Sequence, residues 1–163
     1  MRSTRWRYSA TVSNAEESKG PFIKAAVFCE RVLEEKDNVL SAIRIFDRSS
    51  AEIEVEGIAD DEGIPEEIPH PLIQGALLVA LVAGEAARNQ VVNVRLVKPS
   101  GSTSPLAEFP IEFNADEDAA AQLILRLTLT AKEDGIYWFE ILVGGDVRTR
   151  VPLRVTRTVK RRS

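Results

Sequence analysis

The sequence predicts an all-β, antiparallel sandwich of about eight or nine strands. Three observations carry this. Short runs of alternating apolar and polar residues recur along the chain, separated by turn-forming clusters. Leu123, Leu125, Leu127 and Leu129 alternate with Arg126, Thr128 and Thr130 outside, the period of a half-buried strand. Third, Glu133-Asp134-Gly135-Ile136-Tyr137-Trp138-Phe139 leads through an apolar run to Gly144-Gly145, which reads as a turn, a strand entered through a tyrosine, and a hairpin reversal.

The elements follow in order. The first strand runs from Phe22 through Leu33, where Ala25, Val27 and Cys29 alternate with Lys24, Phe28 and Glu30. Glu34 to Asn38 is a turn, and Val39 to Asp47 is the second strand. Glu52, Glu54 and Glu56 alternate with Ile53 and Val55, a half-buried strand whose acidic outer face suits a sheet edge. Residues 57–71, with two Gly and three Pro among acids, form a long loop. Leu72 to Ala83 is apolar on both parities; Gly75 and Gly84 favour a strand there over a helix. Val91 to Lys98 places Val92, Val94 and Leu96 inward, with Asn93 and Arg95 outward. Pro99 to Ser102 opens a mobile loop to Pro105, and Phe109, Ile111 and Phe113 mark a short strand. In the last strand Val147, Thr149, Val151, Leu153 and Val155 alternate with Arg148, Arg150, Pro152 and Arg154. Pro152 has no backbone donor, so this strand belongs at an edge or a bulge.

The corner at 133–139 resembles the tyrosine corner of immunoglobulin-like sandwiches, in which a Tyr hydroxyl bonds back to the upstream backbone. Glu133 stands at the usual Asp position and Phe139 at that of the disulfide Cys, so a buried ring replaces a covalent staple. The segment Cys29 to Arg48, with Lys98-Pro99-Ser100-Gly101 and Gly135 to Phe139, resembles a family of small bacterial proteins of unknown function. That resemblance implies a span of roughly 22–155, a bacterial cytoplasmic sandwich and no transferable catalytic residues. The domain organisation is then a basic and polar arm over 1–20, the sandwich over 21–156 and a basic tail over 157–163.

Composition bounds the function. Hydrophobic residues make up 44% and charged residues 28%, which argues against wholesale disorder. Cys29 is the sole cysteine, so no intrachain disulfide exists, which favours a reducing cytoplasm. The basic N-terminus lacks the apolar run of a secretory signal, and Ala76 to Ala83 is far too short to span a membrane. The net charge of −4 conceals a polarity. Residues 148–163 hold seven bases and no acid, and residues 1–8 three bases and no acid. The body over 9–147 keeps 11 bases against all 25 acids, a net of −14. No motif that would read nucleic-acid sequence accompanies these bases.

Catalysis finds little support. His70, the single histidine, lies between Pro69 and Pro71 in a stiff loop without a nucleophile in view. Cys29 reads as a small buried hydrophobe, and one Cys with one His cannot build a zinc site. No cofactor motif is present. Two readings are left. The first is a non-enzymatic interaction or assembly module. Leu78, Val82, Trp138 and Leu142 are surplus apolar residues on outer sheet faces, and Arg148, Arg150 and Arg154 form a basic stripe. The expected partner is another protein or a second copy, in the latter case with that stripe facing Glu52, Glu54 and Glu56 of the other copy. The alternative is a calcium- or lipid-binding sandwich of the C2 type, using Asp60, Asp61, Glu62, Asp116, Glu117 and Asp118 in two loops.

Overall fold

Alternating apolar residues bounded by turn formers become nine strands in the computed structural model, which describes residues 20–37, 39–56, 70–85, 88–114 and 118–162. The strands are β1 (Phe22–Glu34), β2 (Leu40–Ile45), β3 (Arg48–Glu56), β4 (Leu72–Val82), β5 (Asn89–Val97), β6 (Thr103–Glu112), β7 (Ala120–Thr130), β8 (Gly135–Val143) and β9 (Asp146–Arg162). They make two sheets, one of four strands in the order β2-β1-β4-β7, the other of five in the order β3-β9-β8-β5-β6. The predicted all-β sandwich is therefore observed, and the run from Leu72 is a strand. Every pairing is antiparallel except β3 with β9, which is parallel. Among the described residues no helix is long and apolar enough to cross a membrane.

The core lies between the sheets. Leu77, Val79 and Leu81 of β4 face Val92, Val94 and Leu96 of β5 and Phe139 and Ile141 of β8. Phe28 bridges the layers: its ring stacks on Phe139 at 5.3 Å between centroids and meets Phe46 edge-on at 5.0 Å, both favourable ring geometries. Phe28 is thus a core residue, and Cys29 turns to the outer face of the four-stranded sheet. There it forms a small second cluster with Val32 and Ala76, flanked by Leu40, Ala42, Leu78 and Ile124. The expectation grouped Phe28 with the outward residues, and the pairing of Phe28 with Leu77 reverses that. Gly75, on the inner face of β4, makes room for the ring: a Cβ there would lie 2.6 Å from Phe28 Cζ and 2.8 Å from the Cys29 carbonyl oxygen.

The corner ahead of β8 is closed as its sequence foretells. The Tyr137 hydroxyl donates to the Glu133 carbonyl at 3.0 Å and accepts from the Glu133 N–H at 3.1 Å. The Glu133 carboxylate then accepts from the Ser100 N–H and hydroxyl at 2.8 and 3.1 Å. The turn at Lys98 to Ser102 and the corner are therefore one unit in space. Gly135, at φ 133°, sits against Pro99, where a Cβ would come within 2.9 Å.

Three further elements differ from the sequence reading. The segment from Thr103 to Pro105, expected as a mobile loop, opens a ten-residue β6. Residues 157–162, expected as a tail, continue β9 alongside β3. The last strand, expected at an edge or a bulge because of Pro152, lies between β3 and β8, and Pro152 is accommodated because it stands ahead of the β3 pairing. The Arg154 N–H donates to the Asp47 carbonyl just ahead of β3, and Pro152, two residues earlier on the same side, precedes the first β3 pairing. The expected arm falls on residues that lie outside the described ones up to 19.

Candidate interaction surface

The five-stranded sheet turns Tyr137, Phe139 and Ile141 of β8 into the core, so the intervening Trp138, Glu140 and Leu142 take its outer face. Register then dictates their neighbours. Trp138 lies between Val97 of β5 and Pro152 of β9, Glu140 between Arg95 and Arg150, and Leu142 between Asn93 and Val147. Cross-strand neighbours at this spacing interact directly.

Glu140 is the unusual member, being only 3% exposed although it belongs to an outer face. Its Oε1 pairs with Arg150 Nη2 at 2.8 Å, and its Oε2 pairs with Arg95 Nε. A carboxylate withdrawn from water needs such partners, since an unpaired buried charge is costly. The Arg95 and Arg150 side chains stay 42% and 58% exposed, so screening reduces the net gain of the arrangement. Two cations around one anion leave a single positive charge, flanked by the partly buried Trp138 and the buried Leu142.

The residues expected at an interface separate into two groups. Trp138, Leu142, Arg148, Arg150 and Arg154 belong to β8 and β9 of the five-stranded sheet. Leu78 and Val82 belong to β4 of the other sheet, where Leu78 packs against the Cys29 cluster. The structure therefore forms no single patch from all of them. Arg150 is engaged by Glu140, Arg154 lies in register with Arg48 of β3, and Arg148 lines a cleft with Phe22 and Lys24 of β1. The acidic strand expected on another copy runs beside β9 of the same chain, and Glu52 pairs with Lys160. Sequence reasoning missed the Arg95–Glu140–Arg150 group. Its available signal was an acid at Glu140 amid Phe139, Ile141 and Leu142, but the partners come from strands remote in sequence.

Candidate reactive groups are held in ordinary surroundings. His70 is exposed, with Nδ1 3.4 Å from Arg157 Nη1, while Arg157 Nε pairs with Asp134 at 2.8 Å. Burial pushes the Cys29 thiol above its ordinary pKa, opposed by a backbone hydrogen bond from Ile43; a raised pKa disfavours the nucleophilic thiolate. Of the calcium candidates, Asp60, Asp61, Glu62, Asp116 and Glu117 lie outside the described residues. Among the described residues no three His, Cys, Asp or Glu side chains are grouped for a metal ion.

A model of a family of unknown function (DUF6941) matches residues 57–156. The match takes in β4 through β8 and most of β9, with both segments that build the corner. It begins well after the expected start near residue 22, so β1, β2 and β3 precede it. No curated protein matches the chain.

Proposed function

We propose that this chain, which belongs to the DUF6941 family of unknown function, is a non-enzymatic interaction and assembly module that self-associates through the outer face of its five-stranded sheet. The observation that carries the reading is the buried Glu140 clamped by Arg95 and Arg150 beside Trp138. Trp and Arg are enriched among the few residues that carry most of the binding energy at protein interfaces. Here the clamp orders two Arg side chains in advance, which lowers the entropy lost on association. The exposed Arg148 and Arg154 extend the same strand as a basic rim.

The non-enzymatic part is supported by the raised thiol pKa of Cys29 and by the guanidinium facing His70. We read the sandwich as immunoglobulin-like, supported by the Tyr137–Glu133 corner on β8. A reducing compartment is supported by the solitary Cys29, which packs as a small hydrophobe.

Light scattering across a concentration series tests the central claim. The expected result is a mass above that of one chain, lowered by Trp138→Glu and kept by Trp138→Phe. A strict monomer at high concentration, indifferent to Trp138→Glu, would refute it.

A further inference from the structure

A sandwich that is not closed has four edge strands, here β2 and β7 in one sheet, β3 and β6 in the other. Proteins blunt such edges to prevent strand addition, and three of these four are blunted. β2 is only six residues long, and its Arg44 takes a left-handed backbone with φ 52°. β3 carries Glu52 and Glu54 on its exposed face. β6 contains Pro105, Glu108, Pro110 and Glu112, and its ladder with β5 is interrupted by a bulge.

β7 has a single outward charge and no other such device. Its eleven residues contain no Pro or Gly and one charge, Arg126, which faces outward. Its register with β4 is unbroken from Leu72↔Thr130 to Val82↔Ala120. The bonds Ala83 N–H to Ala119 O and Ala131 N–H to Pro71 O show that odd-numbered residues of β7 direct their backbone groups to β4. The even-numbered residues, from Ala120 to Thr130, therefore present N–H and C=O to the open side. Among the described strands β7 pairs with β4 alone. Its inward Leu123, Leu125, Leu127 and Leu129 are only partly buried, at the open flank of the core.

We propose that the β7 edge pairs antiparallel with the β7 edge of a second copy, joining two four-stranded sheets into one continuous sheet. The register follows from the strand itself. Full overlap of Ala120–Thr130 puts the two-fold axis at Leu125. Leu123 then meets Leu127 and Ala121 meets Leu129 on the inner side. On the outer side Gln122 meets Thr128, and Ile124 lies under the aliphatic stem of Arg126. Every open even-numbered residue exchanges both backbone hydrogen bonds with its opposite number. A strand that is complementary to itself in this way gives an isologous, closed contact. This surface is distinct from the Trp138 face and does not depend on it.

The test uses the full chain carrying Trp138→Glu, which removes the other contact. Light scattering is expected to give the mass of two chains, reduced twofold by Arg126→Pro. That substitution deletes an N–H aimed at the open side and leaves the β4 ladder intact, a position where Pro is tolerated. Independently, Leu125→Cys places two thiols at a non-hydrogen-bonded pair across the axis, about 4.5 Å between Cα atoms, within disulfide reach. Mild oxidation is expected to yield a covalent dimer on a reducing-sensitive gel, and Thr128→Cys none. The proposal is overturned if folded Arg126→Pro keeps the mass of its parent, or if folded Leu125→Cys stays monomeric after oxidation. Should Arg126→Pro fail to fold, the cross-link decides alone. In the otherwise native chain, a mass sensitive to Trp138→Glu and not to Arg126→Pro overturns the edge contact and keeps the face. The converse result keeps the edge and rejects the face.

Discussion

Tyr137→Phe removes one oxygen from the centre of the corner and leaves a ring that is 1% exposed in place. Two hydrogen bonds disappear, one given to the Glu133 carbonyl at 3.0 Å and one taken from the Glu133 N–H at 3.1 Å. A hydrogen bond contributes a net of about 0.5–1.5 kcal/mol to stability, and more is lost when a buried partner stays unsatisfied. The pair should therefore be worth about 1–3 kcal/mol. Glu133 is only half-buried, so water can offset part of the loss at its backbone, which favours the lower end of that range. Urea unfolding followed by Trp fluorescence measures the loss. With a slope of about 1–3 kcal/mol per M, the midpoint should fall by roughly 1 M at an unchanged slope, since the buried apolar area is the same. Tyr137→Ala also empties a core position and should cost more, about 3–5 kcal/mol as for other buried aromatics. A Tyr137→Phe protein within about 0.3 kcal/mol of the native one would show that the corner bonds do not hold β8 in place, against the net value assigned to such bonds.

Two further outcomes follow from packing and charge. Gly75→Ala drives a methyl against the Phe28 ring and the Cys29 carbonyl and should destabilise by about 1–3 kcal/mol; the ring can turn, the backbone oxygen cannot, so Phe28→Leu should restore only part of the loss in thermal unfolding. Glu140→Gln keeps the shape but leaves Arg95 and Arg150 facing each other without a counter-charge. It should cost about 1–2 kcal/mol at low ionic strength, discounted for the solvated guanidinium groups, and the cost should shrink in 1 M salt.

What could be read from the chain alone was local. A period of two between turn formers marks strands because side chains alternate across a sheet. That is enough to place β4 where the apolar run 72–83 stands and to fix Leu123 to Leu129 as one face of β7. The Tyr137 corner was legible for the same reason, since its hydroxyl and the Glu133 backbone are four residues apart. Pro152 marked a stretch of β9 without a β3 partner, but not an edge strand, since β9 lies between β3 and β8.

Pairing was not legible, because it joins segments that sequence keeps far apart. Nothing in the run of Glu52 and Glu54 states that it lies parallel to β9, where a basic segment of the same chain takes the place expected of another copy. Which face Phe28 or Cys29 occupies depended on β4 offering Leu77 and a bare Gly75 beneath the ring. Glu140 became a buried, doubly paired carboxylate only when β5 and β9 brought Arg95 and Arg150 to either side of it. Alternation sets the direction of a side chain within its own strand; the neighbour it meets is chosen by register between strands, which only the folded chain supplies.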